Sequence, residues 1–258
     1  MELKNFLSVV MTTHVLPTAP SVDIITKTIN CLRDKFIGID KCDLTIYCDS
    51  KTDNVNSIPY VNNLKNIPNV KVVDIPSGNI GYAALQNNYI KGIFESKTPF
   101  IFCCEHDWEF LWSADLTKLV NDMLNYNFIN FVRFNKRDNI KSHKDNPPPG
   151  DDGMCFTETY VEEELRVKNQ PLMKTDSIAT HPHIIRKDMF VDNWFDIAKH
   201  RRPDVAGAVE ANLHDAYQID IRNMGFQAAH KKWGVYNFGS KYDTRMLSHT
   251  DGSDSMKT

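Results

Sequence analysis

No run of apolar residues in this chain reaches the roughly 20 needed to cross a bilayer. The opening stretch, Met1 to Met11, has no basic segment followed by a long apolar core, so it reads as an early strand and not as a signal peptide. Charge of one sign is not in excess either. Thirty Lys and Arg against 33 Asp and Glu give a net charge of −3 and a pI near 6.3, which argues against a general nucleic-acid binder. None of the six cysteines stands at Cys-x-x-Cys spacing. Cys48, Cys103 and Cys104 fall in predicted buried strands, where a free thiol behaves as a small hydrophobe. Cys31, Cys42 and Cys155 are scattered, and a soluble protein of the reducing cytoplasm is expected. There is no internal repeat and no low-complexity linker. The 258 residues, 41% of them hydrophobic, suit a single domain.

The stretch around which the chain is organised is 99–112. Pro99 to Cys104 is a continuous apolar run without alternation, the pattern of a strand buried on both faces. It ends abruptly in Glu105, His106, Asp107 and Glu109. A buried parallel strand that ends this way carries carboxylates to the C-terminal edge of its sheet, where open α/β sheets bind ligands. Carboxylate oxygens there suit Mg²⁺ or Mn²⁺. The plainer alternative, acids that only solubilise a strand end, fits less well with Trp108, Phe110 and Trp112 interleaved among them.

Strands are expected at Leu7–Met11, Leu44–Cys48, Val70–Ile75 and Phe128–Phe134, with an Asn-rich, Pro-broken connection over 51–69. Val22, Ile25, Ile29, Leu32 and Phe36 recur at helical spacing, and Ser21 is a plausible N-cap. A second helix opens after Ser77-Gly78-Asn79-Ile80-Gly81, and Tyr82, Leu85, Tyr89 and Ile93 form its stripe. Leu116, Leu119, Val120, Met123 and Leu124 mark a third. This alternation predicts a doubly wound, mostly parallel sheet. Residues 135–156 read as a long polar loop. Beyond it, a strand is expected over Ser177–Arg186, a helix beginning near Glu210, closing strands at Phe226–Ala229 and Trp233–Phe238, and a flexible tail over 239–258.

Four segments together resemble the GT-A fold of nucleotide-sugar glycosyltransferases, nearest the family-2-type group. Strand one ends in Thr12-Thr13-His14, where that family starts its nucleotide pocket. Strand two ends at Asp49, where an acid often contacts the base or ribose. Asn79-Ile80-Gly81-Tyr82-Ala83-Ala84-Leu85-Gln86-Asn87 is similar to the family's Asn-x-Gly-x-x-x-Ala-x-Asn helix start. Glu105-His106-Asp107 stands where the family carries Asp-x-Asp, with Glu for the first acid and His between. The resemblance implies a GT-A, Rossmann-like α/β domain over 1–238, divided into a nucleotide-sugar-binding half (1–134) and an acceptor-side half (135–238).

It further implies a hexosyl- or pentosyltransferase using Mn²⁺ or Mg²⁺, a UDP- or GDP-sugar donor and a glycan acceptor, inverting at the anomeric carbon. Nucleotide-sugar contacts then fall on Thr12, Thr13, His14, Asp49, Asn79, Gly81, Asn87, Glu105, His106 and Asp107. Asp107 inherits the metal, with His249 similar in place to a histidine that completes the metal or diphosphate site. Val209-Glu210-Ala211-Asn212-Leu213 resembles the helix start that carries the catalytic carboxylate, which makes Glu210 the general base. Its ordinary alternative is an acid favoured by the helix dipole. His181 and His183 share a predicted strand face and read as packing or acceptor contact, not as a zinc pair. Two other functions stay open: a sugar nucleotidyltransferase, disfavoured because Thr12 to Pro17 holds no glycine or basic residue, and a glycan-binding module with no nucleotide affinity.

Overall fold

The structure is a computed structural model that describes residues 1–14, 21–50, 56–75, 82–136, 171–180, 182–200, 208–239 and 243–250. Asn79, Gly81, His181, most of the 135–156 loop and residues 251–258 lie outside them. Its centre is an eight-stranded sheet among the described residues. The strands are β1 (Leu7–His14), β3 (Leu44–Asp49), β4 (Lys71–Asp74), β5 (Phe100–Glu105), β8 (Phe131–Arg133), β9 (Leu172–Lys174), β10 (His183–Arg186) and β11 (Val235–Phe238), in the order β4-β3-β1-β5-β10-β8-β11-β9. β4, β3, β1 and β5 are parallel. β10 runs against both β5 and β8, and β9 against β11. The sheet is thus mostly parallel, flanked by helices, with two reversed strands.

Alternation builds two cores. Along β1, Leu7, Val9 and Met11 pack into one cluster with helix α1 (Asp23–Lys35), while Val10 packs into the other. β5 is buried on both faces, as its unbroken apolar run requires. α3 (Tyr82–Glu95) lies across β1 and β3, and α4 (Leu116–Asn125) buries Leu116, Leu119, Val120 and Met123. Asp115 caps α4 by accepting from the Lys118 amide at 3.1 Å, the usual answer to an orphan N–H in the first turn. On the other half, α5 runs as Lys187–Met189, a π-helical turn Phe190–Trp194 and Phe195–His200, followed by α6 (Ala208–Met224) and α7 (Phe226–Trp233).

Three expectations are corrected. The 51–69 connection contains α2 (Ser57–Lys65), with Tyr60, Val61 and Leu64 buried; Pro59 sits in its first turn, where a missing N–H costs no helical bond. Phe226–Ala229 is helical, not a strand. Ala229, His230 and Trp233 are buried one turn apart, and that helical period overrides the short apolar run. Part of the expected tail is ordered: β12 (Leu247–His249) pairs antiparallel with β6 (Trp108–Phe110), His249 opposite Trp108. A further two-stranded pairing joins β2 (Phe36–Ile37) to β7 (Ala114–Asp115). No helix among the described residues is long and apolar enough to cross a membrane.

Candidate active site

The register of β1 decides which predicted residues meet. Thr12 stands opposite Tyr47 and Glu105, and His14 opposite Asp49. Paired residues share a face, so Thr12, His14, Asp49 and Glu105 converge at the C-terminal edge on the face that carries Val10 and α3. Thr13 faces the other way, where its hydroxyl lies 2.7 Å from the Tyr60 hydroxyl. Thr12 and Asp49 are both buried.

His106, Asp107 and Trp108 follow as the chain turns into β6. The His106 carbonyl accepts from the Thr28 hydroxyl at 2.7 Å, and its ring meets His14 edge-on at 5.2 Å. The Asp107 carbonyl accepts from the amide and hydroxyl of Thr250, at 2.8 and 3.1 Å. Asp107 Oδ2 lies 3.4 Å from His249 Nδ1, and the His249 ring lies tilted over Trp108, their centres 3.9 Å apart. The C-terminal strand therefore clamps the loop that carries the acid. Burial opposes ionisation of Asp107, but the close approach of the His249 imidazole and the charges of His106 and His249 outweigh it, and the carboxyl is held below its usual range. Its second oxygen, Oδ1, is buried and has no hydrogen-bond partner.

Glu105 behaves oppositely. Burial, then the negative charges of Asp107 and Glu210, push it up to about 8, while Trp108 and the Lys136 ammonium pull it back. Adjacent acids with opposite shifts are typical of functional sites, where environment divides roles between like groups. Glu210, in the first turn of α6, takes the Thr180 amide at 2.9 Å and the Thr180 hydroxyl at 2.6 Å, both on Oε2. Oε1 is left for other chemistry, and the charge of Glu210 is felt at Glu105.

An ionised carboxylate with a buried, unpartnered oxygen suits a hard divalent cation. Among the described residues no cluster of three or more His, Cys, Asp or Glu side chains is arranged to hold a metal. Mg²⁺-type sites commonly pair one or two carboxylates with water and substrate phosphates.

Other predicted residues fare differently. Asn87 is exposed, while its neighbour Asn88 is buried with an unpartnered amide nitrogen. His183 is fully buried, 2.9 Å from the Tyr89 hydroxyl and stacked on Phe131 at 4.4 Å, so packing occupies it. Two residues escaped the sequence reading. One is Asn88. The other is Lys136, whose ammonium lies 5.6 Å from the Trp108 ring centre and acts on Glu105. A lone lysine at a loop start gives no signal of either contact.

The architecture is that of the GT-A fold. The chain matches no protein-family model and no curated protein. Among solved structures, that of TarS from S. aureus is similar at a TM-score of 0.51 and 14% identity, over 95% of this chain and 36% of that one. TarS 1–349 in complex with UDP aligns at 0.48 and 15% identity, over 94% and 59%. TarS 1–349 in another crystal structure gives 0.48 and 16%, over 97% and 62%. The chain thus spans less than two thirds of the length of these neighbours, and what is shared is the fold.

Proposed function

We propose that the protein is a metal-dependent glycosyltransferase that moves a sugar from a UDP- or GDP-sugar to a glycan hydroxyl with inversion. The observation that carries this reading is the Asp107 carboxylate: kept ionised, with one oxygen buried and unpartnered, at the end of a buried parallel strand. In this reading Asp107 holds Mn²⁺ or Mg²⁺, and such an ion stabilises the charge that builds on a departing diphosphate. Thr12, His14 and Asp49 line the nucleotide end of the cleft. His249 and Thr250 fix Asp107 from behind.

Glu210 is the general base. The acceptor oxygen attacks the anomeric carbon, the bond from that carbon to the diphosphate oxygen breaks with its electron pair leaving on the diphosphate, and the acceptor proton passes to Glu210 Oε1. Thr180 holds Oε2 and so limits how the carboxylate turns. Lys136, beside Glu105 and Trp108, supplies a positive charge at the same edge. The five described cysteines are unpaired thiols, in keeping with a reducing compartment.

The test is a thermal-shift screen of UDP, GDP, CMP and their sugars, with and without Mn²⁺, on wild type and Asp107→Ala. Stabilisation by one nucleotide class that needs the metal and disappears in the variant is expected, since only a ligand that prefers the native state raises the midpoint. No shift with any nucleotide at millimolar concentration would sink the reading and favour a glycan-binding module.

A further inference from the structure

The opposite edge of the sheet carries a second concavity. Where β1, β3 and β4 begin, a cleft of about 890 Å³ opens beside the last turn of α3, within the size range of small-ligand sites. Register explains its floor. Val10, Thr45 and Lys71 lie level across β1, β3 and β4, so Thr45 and Lys71 share the face on which α3 rests. The helix stops at Glu95, short of Pro99, and part of that face stays open. One wall is a line of hydroxyls. Ser96 lies 3.2 Å from Thr98, and Thr98 donates to Ser8 at 2.9 Å. Beside them the Tyr47 hydroxyl donates to Glu95 at 2.9 Å. Charges of both signs complete the lining. Asp40 and Asp43 are exposed there, as are Lys41, Lys71 and Lys97. Among the described residues none of these five is in an ion pair.

Opposite charges that ring one cleft without pairing leave strong donors and strong acceptors uncommitted along the same walls. An anion there would lie against Asp40 and Asp43, and a cation against the lysines. A sugar hydroxyl both donates and accepts, so an uncharged polyol matches the lining where an ion of either sign does not. We propose that this cleft is a second binding site, for a neutral glycan chain, and, resting on the transferase reading above, that the chain is the acceptor held away from its reacting hydroxyl. From Ser8 to His14 is six residues of strand, about 20 Å. A single sugar cannot engage both edges of the sheet, whereas a chain can, and its second contact gains from the effective concentration that the first creates.

Hydrogen-exchange mass spectrometry of the full chain tests this, with a soluble glucan, mannan, galactan and chitin oligomer as neutral probes and polyphosphate and dextran sulfate as charged ones. At least one neutral polymer is expected to slow exchange over 43–47 and 95–98, equally at low and high salt, since no ionic contact is there to screen. Asp43→Asn and Lys71→Gln sit at exposed positions, and the Asp43 carbonyl that accepts from Val9 at 2.8 Å is kept, so both variants should melt as wild type does. Each should weaken the neutral polymer by about threefold or more and leave nucleotide affinity unchanged. The signs decide the ligand class: an anion would bind more tightly to Asp43→Asn, and a cation to Lys71→Gln. Tightening by either substitution, preference of these segments for a charged probe, or no protection there by any neutral polymer would overturn the site. The polymer should also slow exchange around Glu210, and its disaccharide should not protect both places; protection of the cleft alone would overturn the link to the acceptor. Neutral-polymer binding in a protein that no nucleotide stabilises would keep the site and sink the transferase reading separately.

Discussion

The two halves of the central sheet build their share of the cleft in different ways. In the parallel half, β4-β3-β1-β5, strand ends themselves deliver the polar groups: Thr12 stands level with Glu105, and His14 level with Asp49, because the strands are in register. In the other half, β10-β8-β11-β9, the two outer strands run against the parallel pair β8 and β11, and α6 does the placing. Segment 175–180 lies along that helix and is held once per turn. Thr180 is bound by Glu210, the Ile178 amide reaches His214 Nδ1 at 3.4 Å, and the Thr175 and Asp176 carbonyls accept from Tyr217 and Gln218. Burial, chiefly, lowers the His214 pKa and so favours the neutral ring, whose Nδ1 accepts from the Ile178 amide. One half presents a row of polar strand ends, the other a scaffold that fixes one carboxylate.

If that division is right, Glu210→Gln should separate chemistry from binding. Glutamine can still accept from Thr180, so the scaffold stands, but no base remains. Turnover is expected to fall about 10²- to 10⁴-fold, with affinity for the nucleoside diphosphate changed by less than about threefold. Steady-state kinetics alongside calorimetry would show it. A parallel loss of nucleotide affinity would mean that Glu210 belongs to that row, and the contrast between the halves would fail.

Asp176 probes the scaffold alone. Burial raises its carboxyl to about 7, its own backbone and Arg133 resisting, and its Oδ1 is buried without a partner. Between the usual value near 3.8 and about 7 the folded state keeps a proton that the unfolded chain releases, so stability falls as pH rises through that window. Asp176→Asn removes the penalty. Denaturant unfolding should show it more stable by on the order of 2 kcal/mol at pH 8 and little changed at pH 4. Nucleotide affinity should not move. A variant that is destabilised at pH 8 would show that the ionised carboxylate is bound productively.

The same contrast explains what could be read from the sequence. Strand-end residues of the parallel half were legible because a run such as Phe100–Glu105 encodes burial and termination together. Glu210 was legible as a helix start. The clamp from Leu247–His249 was not, because three residues of a polar stretch pair with a loop about 140 positions earlier, and no local pattern records such a partner. Thr13 shows a subtler miss: its neighbour Thr12 faces the cleft, and one residue of register separates a site position from a core position. Asn88 beside Asn87 is the helical version. Two identical side chains 100° apart on a helix have opposite fates, and only the packing of Gly92 on Val10 and Tyr47 tells them apart.

That contact offers the smallest expected effect and the finest test. Gly92→Ala adds one methyl group where 2.4 Å separates its position from Val10. Alanine favours the helix by about 1 kcal/mol over glycine, but α3 must lift from the sheet to admit it, at about 1–3 kcal/mol. A net loss near 1 kcal/mol is expected in denaturant unfolding. Because α3 packs on β1 and β3, the strands that end in Thr12, His14 and Asp49, lifting it should also weaken nucleotide binding severalfold while the 175–180 scaffold on α6 keeps its hydrogen-exchange protection. A substitution in the parallel half would then lower affinity, whereas Asp176→Asn in the other half changes stability alone. Equal disturbance of both segments would instead mean that the sheet moves as one body, with neither half owning its part of the cleft.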